Sequence, residues 1–191
     1  DINNPLYEVD IADNDNRYTR LLTNLTTEVS ITKDLKLKAN FGIDGSINDS
    51  RSFNPQILGQ IRQRTENSAS RRYGQDFSFL MEYFLDYNKL FGDHKIGFVG
   101  GYTQQTFGSQ GFQAGASNLP NEDPTQRFLS LGTTTRSTEY RNNDGLRSVF
   151  GRANYGFKNK YLLTATVRSD ESSKFAEGNR RGVFPAFSLG W

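Results

Sequence analysis

A reactive centre needs ligands, nucleophiles or acids at fixed spacing, and the chain offers few. His94 is its one histidine and cysteine is absent. A thiolate zinc site, a thiol nucleophile and a disulfide framework are therefore excluded. His94 stands beside a turn with no second histidine and no nucleophile adjacent, which removes a Ser-His-Asp triad and reads as an interfacial turn residue. Asp10, Asp13 and Asp15 make an acidic run, but Arg17 and Tyr18 stand where an EF-hand loop needs Asp or Asn and then Gly. Asn121-Glu122-Asp123, between Pro120 and Pro124, either offers oxygens to calcium or forms a solvated turn. Gly97, Gly100 and Gly101 lack the Lys-Ser/Thr of a phosphate loop and on a strand mark close backbone approach or a bulge. A hydrolase would need a Ser and His, or paired acids, at one rim, whereas the one histidine lies at the short-turn end and no Ser of comparable register faces it. The chain reads as non-catalytic, without cofactor or metal.

Composition points elsewhere. Lys and Arg number 23 against 21 Asp and Glu, too balanced for a nucleic-acid partner, which calls for a clustered basic stripe. Phe 15, Tyr 9 and Gly 18 against a single Met are poor credentials for disorder and good ones for strands joined by turns. No apolar run approaches the about 20 residues of a spanning helix. No apolar leader follows Asp1, so the chain is expected to be mature or a piece of something longer.

The elements show in a period of two. Leu21, Thr23, Leu25, Thr27, Val29 and Ile31 alternate with Asn24, Thr26, Glu28 and Ser30. Leu35, Leu37, Ala39, Phe41 and Ile43 alternate with Lys36, Lys38, Asn40 and Asp44. Each set is a strand with one apolar and one polar face. A turn at 32–34 pairs Ile31 with Leu35, Val29 with Leu37 and Leu25 with Phe41, apolar against apolar. A turn at 88–93 sets Leu85 against Ile96, Tyr83 against Phe98 and Phe79 against Tyr102. A turn at 158–160 sets Phe157 against Tyr161, Tyr155 against Leu163 and Ala153 against Ala165. A seventh strand runs from Val183 to Trp191. The fold class is all-β and antiparallel.

Between hairpins lie long connections, 46–75, 105–146 and 170–182, all at the end opposite the short turns. Alternation alone suits a soluble sandwich as well as a membrane barrel. Three features favour the barrel. Strands of nine to twelve residues exceed the usual five or six. Eleven residues tilted by about 40° rise roughly 27 Å, close to the apolar band of an outer-membrane barrel. Short turns against long loops match periplasmic turns and extracellular loops, and Tyr83, Tyr87, Tyr155, Phe157 and Tyr161 cluster at the short-turn end as half of an aromatic girdle facing lipid. The other face, with Glu28, Lys36, Lys38, Glu82, Asp86, Lys95, Arg152 and Arg168, suits a water-filled lumen or an ordinary solvated sheet face. Seven strands are an odd number for a closed barrel and Trp191 stands in mid-strand, so the chain is expected to be cut from a larger one.

Specific strings sharpen this. Phe150-Gly151-Arg152-Ala153-Asn154-Tyr155, Lys160-Tyr161-Leu162-Leu163-Thr164-Ala165-Thr166-Val167-Arg168, Ser172-Ser173-Lys174-Phe175 and Phe184-Pro185-Ala186-Phe187-Ser188-Leu189-Gly190-Trp191 follow in order. Together they resemble the barrel of SusC/RagA-type TonB-dependent transporters of the Bacteroidetes outer membrane. Asn4-Pro5-Leu6-Tyr7, Asn16-Arg17 and Leu35-Lys36-Leu37-Lys38 are similar to an earlier part of the same barrel. Glu171 and Arg181 depart from the family pattern, where Gly and an aromatic are usual, and both are expected in a loop.

The resemblance implies an antiparallel transmembrane β-barrel segment, seven strands of a barrel of about 22. Residues 1–191 would all belong to that one barrel domain, with the plug, TonB box and signal peptide outside this chain. It implies import of a bulky glycan or peptide, a SusD-like surface lipoprotein as lid, and the TonB complex acting through the plug. The long connections would be extracellular loops, where Phe107, Phe112 and Phe128 stack on sugar faces or pack within a folded loop. The alternative is a small outer-membrane barrel complete at this length, with a structural or adhesive role.

Overall fold

In every strand of this chain the backbone N–H and C=O groups turn sideways, so each strand needs a neighbour to satisfy them. The computed structural model, which describes residues 13–58 and 63–191, meets that need by the shortest route. Seven strands pair in sequence order as one sheet. They are β1 (Asp13–Ser30), β2 (Leu35–Asn54), β3 (Ser68–Phe91), β4 (His94–Ser117), β5 (Thr134–Phe157), β6 (Tyr161–Ser172) and β7 (Arg181–Gly190). Asn4-Pro5-Leu6-Tyr7 and Asp10 lie outside the described residues. Two compact units divide the chain: one holds the described residues up to Arg20 with Gly45–Asp76 and Ser109–Asn142, the other Leu21–Asp44, Phe77–Gly108 and Asn143–Trp191.

The second unit keeps the sequence parity. Leu25, Val29, Leu37, Ile43, Tyr83, Leu85, Val149, Leu163, Val167, Phe187 and Leu189, odd-numbered in their strands, are exposed, as are Ile96 and Phe98, even-numbered in β4. Between them run the polar positions, tied across strands. Glu28 takes Lys36 at 2.7 Å and Lys38 at 3.4 Å, and Lys38 also reaches Asp86 at 3.6 Å. Asn40 donates to Glu82 at 2.9 Å and accepts from Thr26 at 3.1 Å, while Thr164 donates to Asn154 at 3.0 Å. Solvated pairs of this kind add little stability each, and their effect is to match charges along one face.

The turns at 32–34 and 158–160 hold. Phe157 pairs with Tyr161, Tyr155 with Leu163 and Ala153 with Ala165, and Ile31 donates to Leu35 at 2.9 Å. The middle hairpin differs. Its turn is the pair Gly92-Asp93, with Gly92 at φ 57, not the six residues 88–93. A left-handed residue in a two-residue turn matches the twist of the flanking strands. The six-residue turn would set Phe84 against Gly97, whereas Phe84 lies against Gly101 and Asn88 against Gly97. The slip is even-numbered, so every side chain stays on its expected face.

The connections are also shorter than parity suggests. Strand structure occupies most of 46–75 and 105–146 and the two ends of 170–182, leaving 55–67, 118–133 and 173–180. Phe107 and Phe112 accordingly stand on β4 and not in a loop. Where polar residues line both faces, as in Asp13–Arg17 or Ser68–Gln75, the ladder persists but the period of two disappears. Glu171 and Arg181 likewise face each other across β6 and β7, opposite charges at paired positions. The first unit holds the one buried apolar cluster among the described residues, Phe53, Ala69, Ala116 and Leu119, with Leu129 packed on it.

Glycine makes room for rings in the second unit. A Cβ on Gly101 would lie 2.6 Å from the Phe150 ring and 2.9 Å from that of Phe84, whose centroids are 5.9 Å apart. Gly101→Val is expected to cost about 1–3 kcal/mol by overpacking. Adding Phe150→Ala should recover part of the loss. Thermal unfolding of the single and double variants checks both.

Candidate functional site

The first unit builds its site from the β4–β5 connection, folded down on the strands by one buried amide. Asn67, 3% exposed, accepts the Leu119 N–H at 2.6 Å and donates to the Leu119 carbonyl at 2.9 Å. It thus imitates a strand pairing for a residue with none. The same amide donates to Glu122 at 3.2 Å, and Glu122 accepts the Gln56 N–H at 2.8 Å. Asn118 takes the left-handed φ of 57 that starts the descent, a conformation asparagine tolerates. Thr133 returns the chain to Ser117 at 3.0 Å.

Two short helical turns follow, Pro124–Gln126 and Leu129–Leu131. Asp123 caps the first, accepting both the N–H and the hydroxyl of Thr125 at 2.8 and 2.6 Å. These two bonds, the hydroxyl first, hold its carboxyl below the ordinary range, with Arg127 adding a smaller attraction. Arg127 joins the connection to the strands. It donates to the Glu122 carbonyl and to Asp13, both at 2.8 Å, and lies 3.8 Å over the Phe53 ring.

A cleft of about 710 Å³ opens beside this connection, lined by Asp13, Asp15, Arg51, Phe53, Arg71 and Phe128 among others. Arg71 is fixed by a two-pronged bond to Asp49 at 3.1 and 2.9 Å. Phe128 is 61% exposed. The cleft therefore offers held guanidinium donors, carboxylate acceptors and a free ring face, a set suited to a polar, ring-bearing solute.

Of the residues singled out from sequence, Phe128 stands at the cleft. Phe112 is in the same unit, stacked on Tyr73 with centroids 5.9 Å apart. Phe107 is half-buried in the other unit. Tyr83, Tyr87, Tyr155, Phe157 and Tyr161 all belong to the second unit. Phe157 stacks on Tyr161 at 6.5 Å, and Tyr83 meets Phe41 edge-on at 5.8 Å. His94 joins them, its Nδ1 2.7 Å from the Tyr155 hydroxyl and its ring 4.8 Å from Phe157.

Asn121-Glu122-Asp123 leads into the first of the two short helical turns. Asn121 accepts the Asp123 N–H at 2.8 Å, and the other carboxylates cap backbone as described. Among the described residues no group of three or more His, Asp or Glu is placed to hold a metal. Sequence reasoning missed Asn67, Arg127 and the Phe84–Phe150 pair; only the glycine at 101, legible as a close-approach position, pointed to any of them.

No family model matches the chain. It is 30% identical over its whole length to TonB-dependent receptor P3 of Formosa agariphila, covering 19% of that protein. It is 32% identical over 99% of its length to TonB-dependent receptor P39 of the same organism, covering 18% of it. Over 56% of its length it is 35% identical to TonB-dependent receptor SusC of Bacteroides thetaiotaomicron. Among solved structures, the RagAB peptide transporter superposes with a TM-score of 0.86 at 20% identity, over 95% of this chain and 20% of that one, which is a likeness of fold. The chain thus spans about a fifth of the relatives it matches in full; it resembles TonB-dependent receptors over its whole length, SusC over 56% of it, and RagAB in fold. Those relatives are named as receptors and, for RagAB, as a transporter.

The Asp123 cap has a pH signature. Its folded carboxyl titrates below the unfolded one, so its contribution is complete above the unfolded value, about 3.9. It is lost as pH falls through the folded value. Protease cleavage within 118–133 should stay low down to the carboxylate range and rise below it. Asp123→Ala should raise cleavage already at neutral pH.

Proposed function

We propose that this chain is a section of the barrel wall of a SusC/RagA-type TonB-dependent transporter in the bacterial outer membrane. The observation that carries the proposal is the exposed apolar row on strand after strand of the second unit, from Leu25 and Leu37 to Phe187 and Leu189. A contiguous apolar surface of this extent is foreign to a water-facing sheet and fits hydrocarbon. The polar row between those positions then lines the interior. Tyr83, Tyr87, Tyr155, Phe157 and Tyr161 form the girdle at the periplasmic boundary. Residues 1–191 are part of one barrel domain of about 22 strands, the plugged class, with the plug and the TonB-contacting segment supplied by the rest of the receptor.

In that receptor the cargo is a bulky glycan or peptide, captured with a SusD-like surface lipoprotein. The relatives named as SusC and as part of RagAB support this partnership. Phe128 at its cleft is the chain's best-supported contact with cargo or lid, because its ring is free and flanked by fixed charges. Phe112 is already stacked and Phe107 half-buried, so their share is smaller.

A gel of native outer membranes, run with and without boiling, checks the size. A heat-modifiable species near 100 kDa is expected for a plugged barrel of about 22 strands. A species at the mass of this chain alone would favour the small structural barrel. Within the complete receptor, Phe128→Ala should lower uptake or lid affinity several-fold while leaving the folded band intact. Unchanged uptake and affinity in the triple alanine variant of Phe107, Phe112 and Phe128 would remove these rings from the site.

A further inference from the structure

The short turns of the second unit carry a second chemistry beside their rings. Lys89 holds its ammonium 4.9 Å from the Phe91 centroid, Lys158 5.4 Å from Phe157 and Lys160 5.5 Å from Tyr161. Lys158 and Lys160 are in the 158–160 connection, and Lys89 stands near the end of β3, three residues before the Gly92-Asp93 turn. Asp34 lies 3.6 Å from Lys89 and Asp93 3.9 Å from Lys158. Lys160, Lys33 and Lys95 have no carboxylate partner among the described residues. Positive charge is therefore in excess at this end, and part of it is pinned at the level of the rings.

The backbone adds an independent sign. Lys158 and Asn159 are both left-handed, at φ 51 and 53. Two-residue positions of this kind suit Gly, Asn or Asp, and a lysine there is strained by its Cβ. Asn159 fits that preference and Lys158 violates it. A strained residue retained at an exposed turn points to a use for its side chain.

We propose that this rim binds the phosphate of anionic lipid headgroups, with Lys158 and Lys160 as its main contacts and Lys89 beside them. The inference rests on the barrel reading, which sets the rings at the boundary between hydrocarbon and water. An ammonium lying on such a ring is held at headgroup depth with its alkyl stem on apolar surface. Two lysines separated by one residue of a tight turn can share one phosphate. Neutral headgroups offer no net charge to match the lysine excess.

The experiment uses the complete receptor in phosphatidylcholine vesicles with or without phosphatidylglycerol, reading the temperature at which the folded band is lost on a gel. The wild type should melt several degrees higher with phosphatidylglycerol, less so at high salt. The variant Lys158→Asn with Lys160→Gln should fold, since asparagine suits φ 51, and should lose at least half of that gain. An equal gain in variant and wild type overturns the assignment. So does an equal gain from inorganic phosphate added to phosphatidylcholine vesicles, which makes the ligand a free anion. No folded band in either vesicle overturns the barrel reading and this inference with it.

Discussion

A strand that enters hydrocarbon has no water to satisfy its backbone, so each N–H and C=O must find the next strand. Pairing of neighbours in chain order, β1 through β7, meets that constraint with the shortest connections available. It also fixes everything that side chains can do. Once register is set, each residue points to one of two faces, and a slip by one would exchange them for the whole strand. The matched rows of β5 and β6, and of β6 and β7, are the clearest case.

Along the strands the chain writes two kinds of sequence. Between about Leu21 and Asp44, and in the corresponding parts of the other strands, apolar and polar residues mostly alternate, with Leu22, Leu80, Phe84, Phe150 and Leu162 as apolar residues on the polar parity. Beyond those limits both faces turn polar, and the ladder is supported by buried amides and paired charges. Asn67 and the Arg71–Asp49 pair hold that part together, where the other part carries exposed leucines and rings. The cleft at Phe128 arises in that polar part, where a folded connection can expose a ring and fixed charges together.

What could be read from sequence followed the same division. Parity located seven strands, the turns at 32–34 and 158–160, and the register of β5 against β6. It stopped short at Gly45 and Gln75 because alternation vanishes when both faces meet water, though hydrogen bonding does not. The middle turn was read as six residues because Asn88, Lys89 and Asp93 look like loop, whereas Gly92 alone supplies the left-handed turn. Glycine at 101 signalled a close approach, but its partners Phe84 and Phe150 come from two other strands and only the fold brings them together. Asn67 carries no local sign, since its burial is created by a connection that begins 51 residues later, at Asn118. Phe128 was legible as a candidate by type, and its cleft was not.

In the complete receptor one parity of the strands should face lipid and the other water. The chain has no cysteine, so each introduced thiol is unique within it. Single cysteines at Leu37, Phe98 and Val167, and at their neighbours Lys38, Val99 and Thr166, would be placed in the complete receptor in bilayers. Fluorophores at the first three should be quenched by nitroxide-labelled lipid, while the second three should react with a water-soluble maleimide and escape quenching. Equal quenching of neighbours, or maleimide access to both rows, would contradict the account.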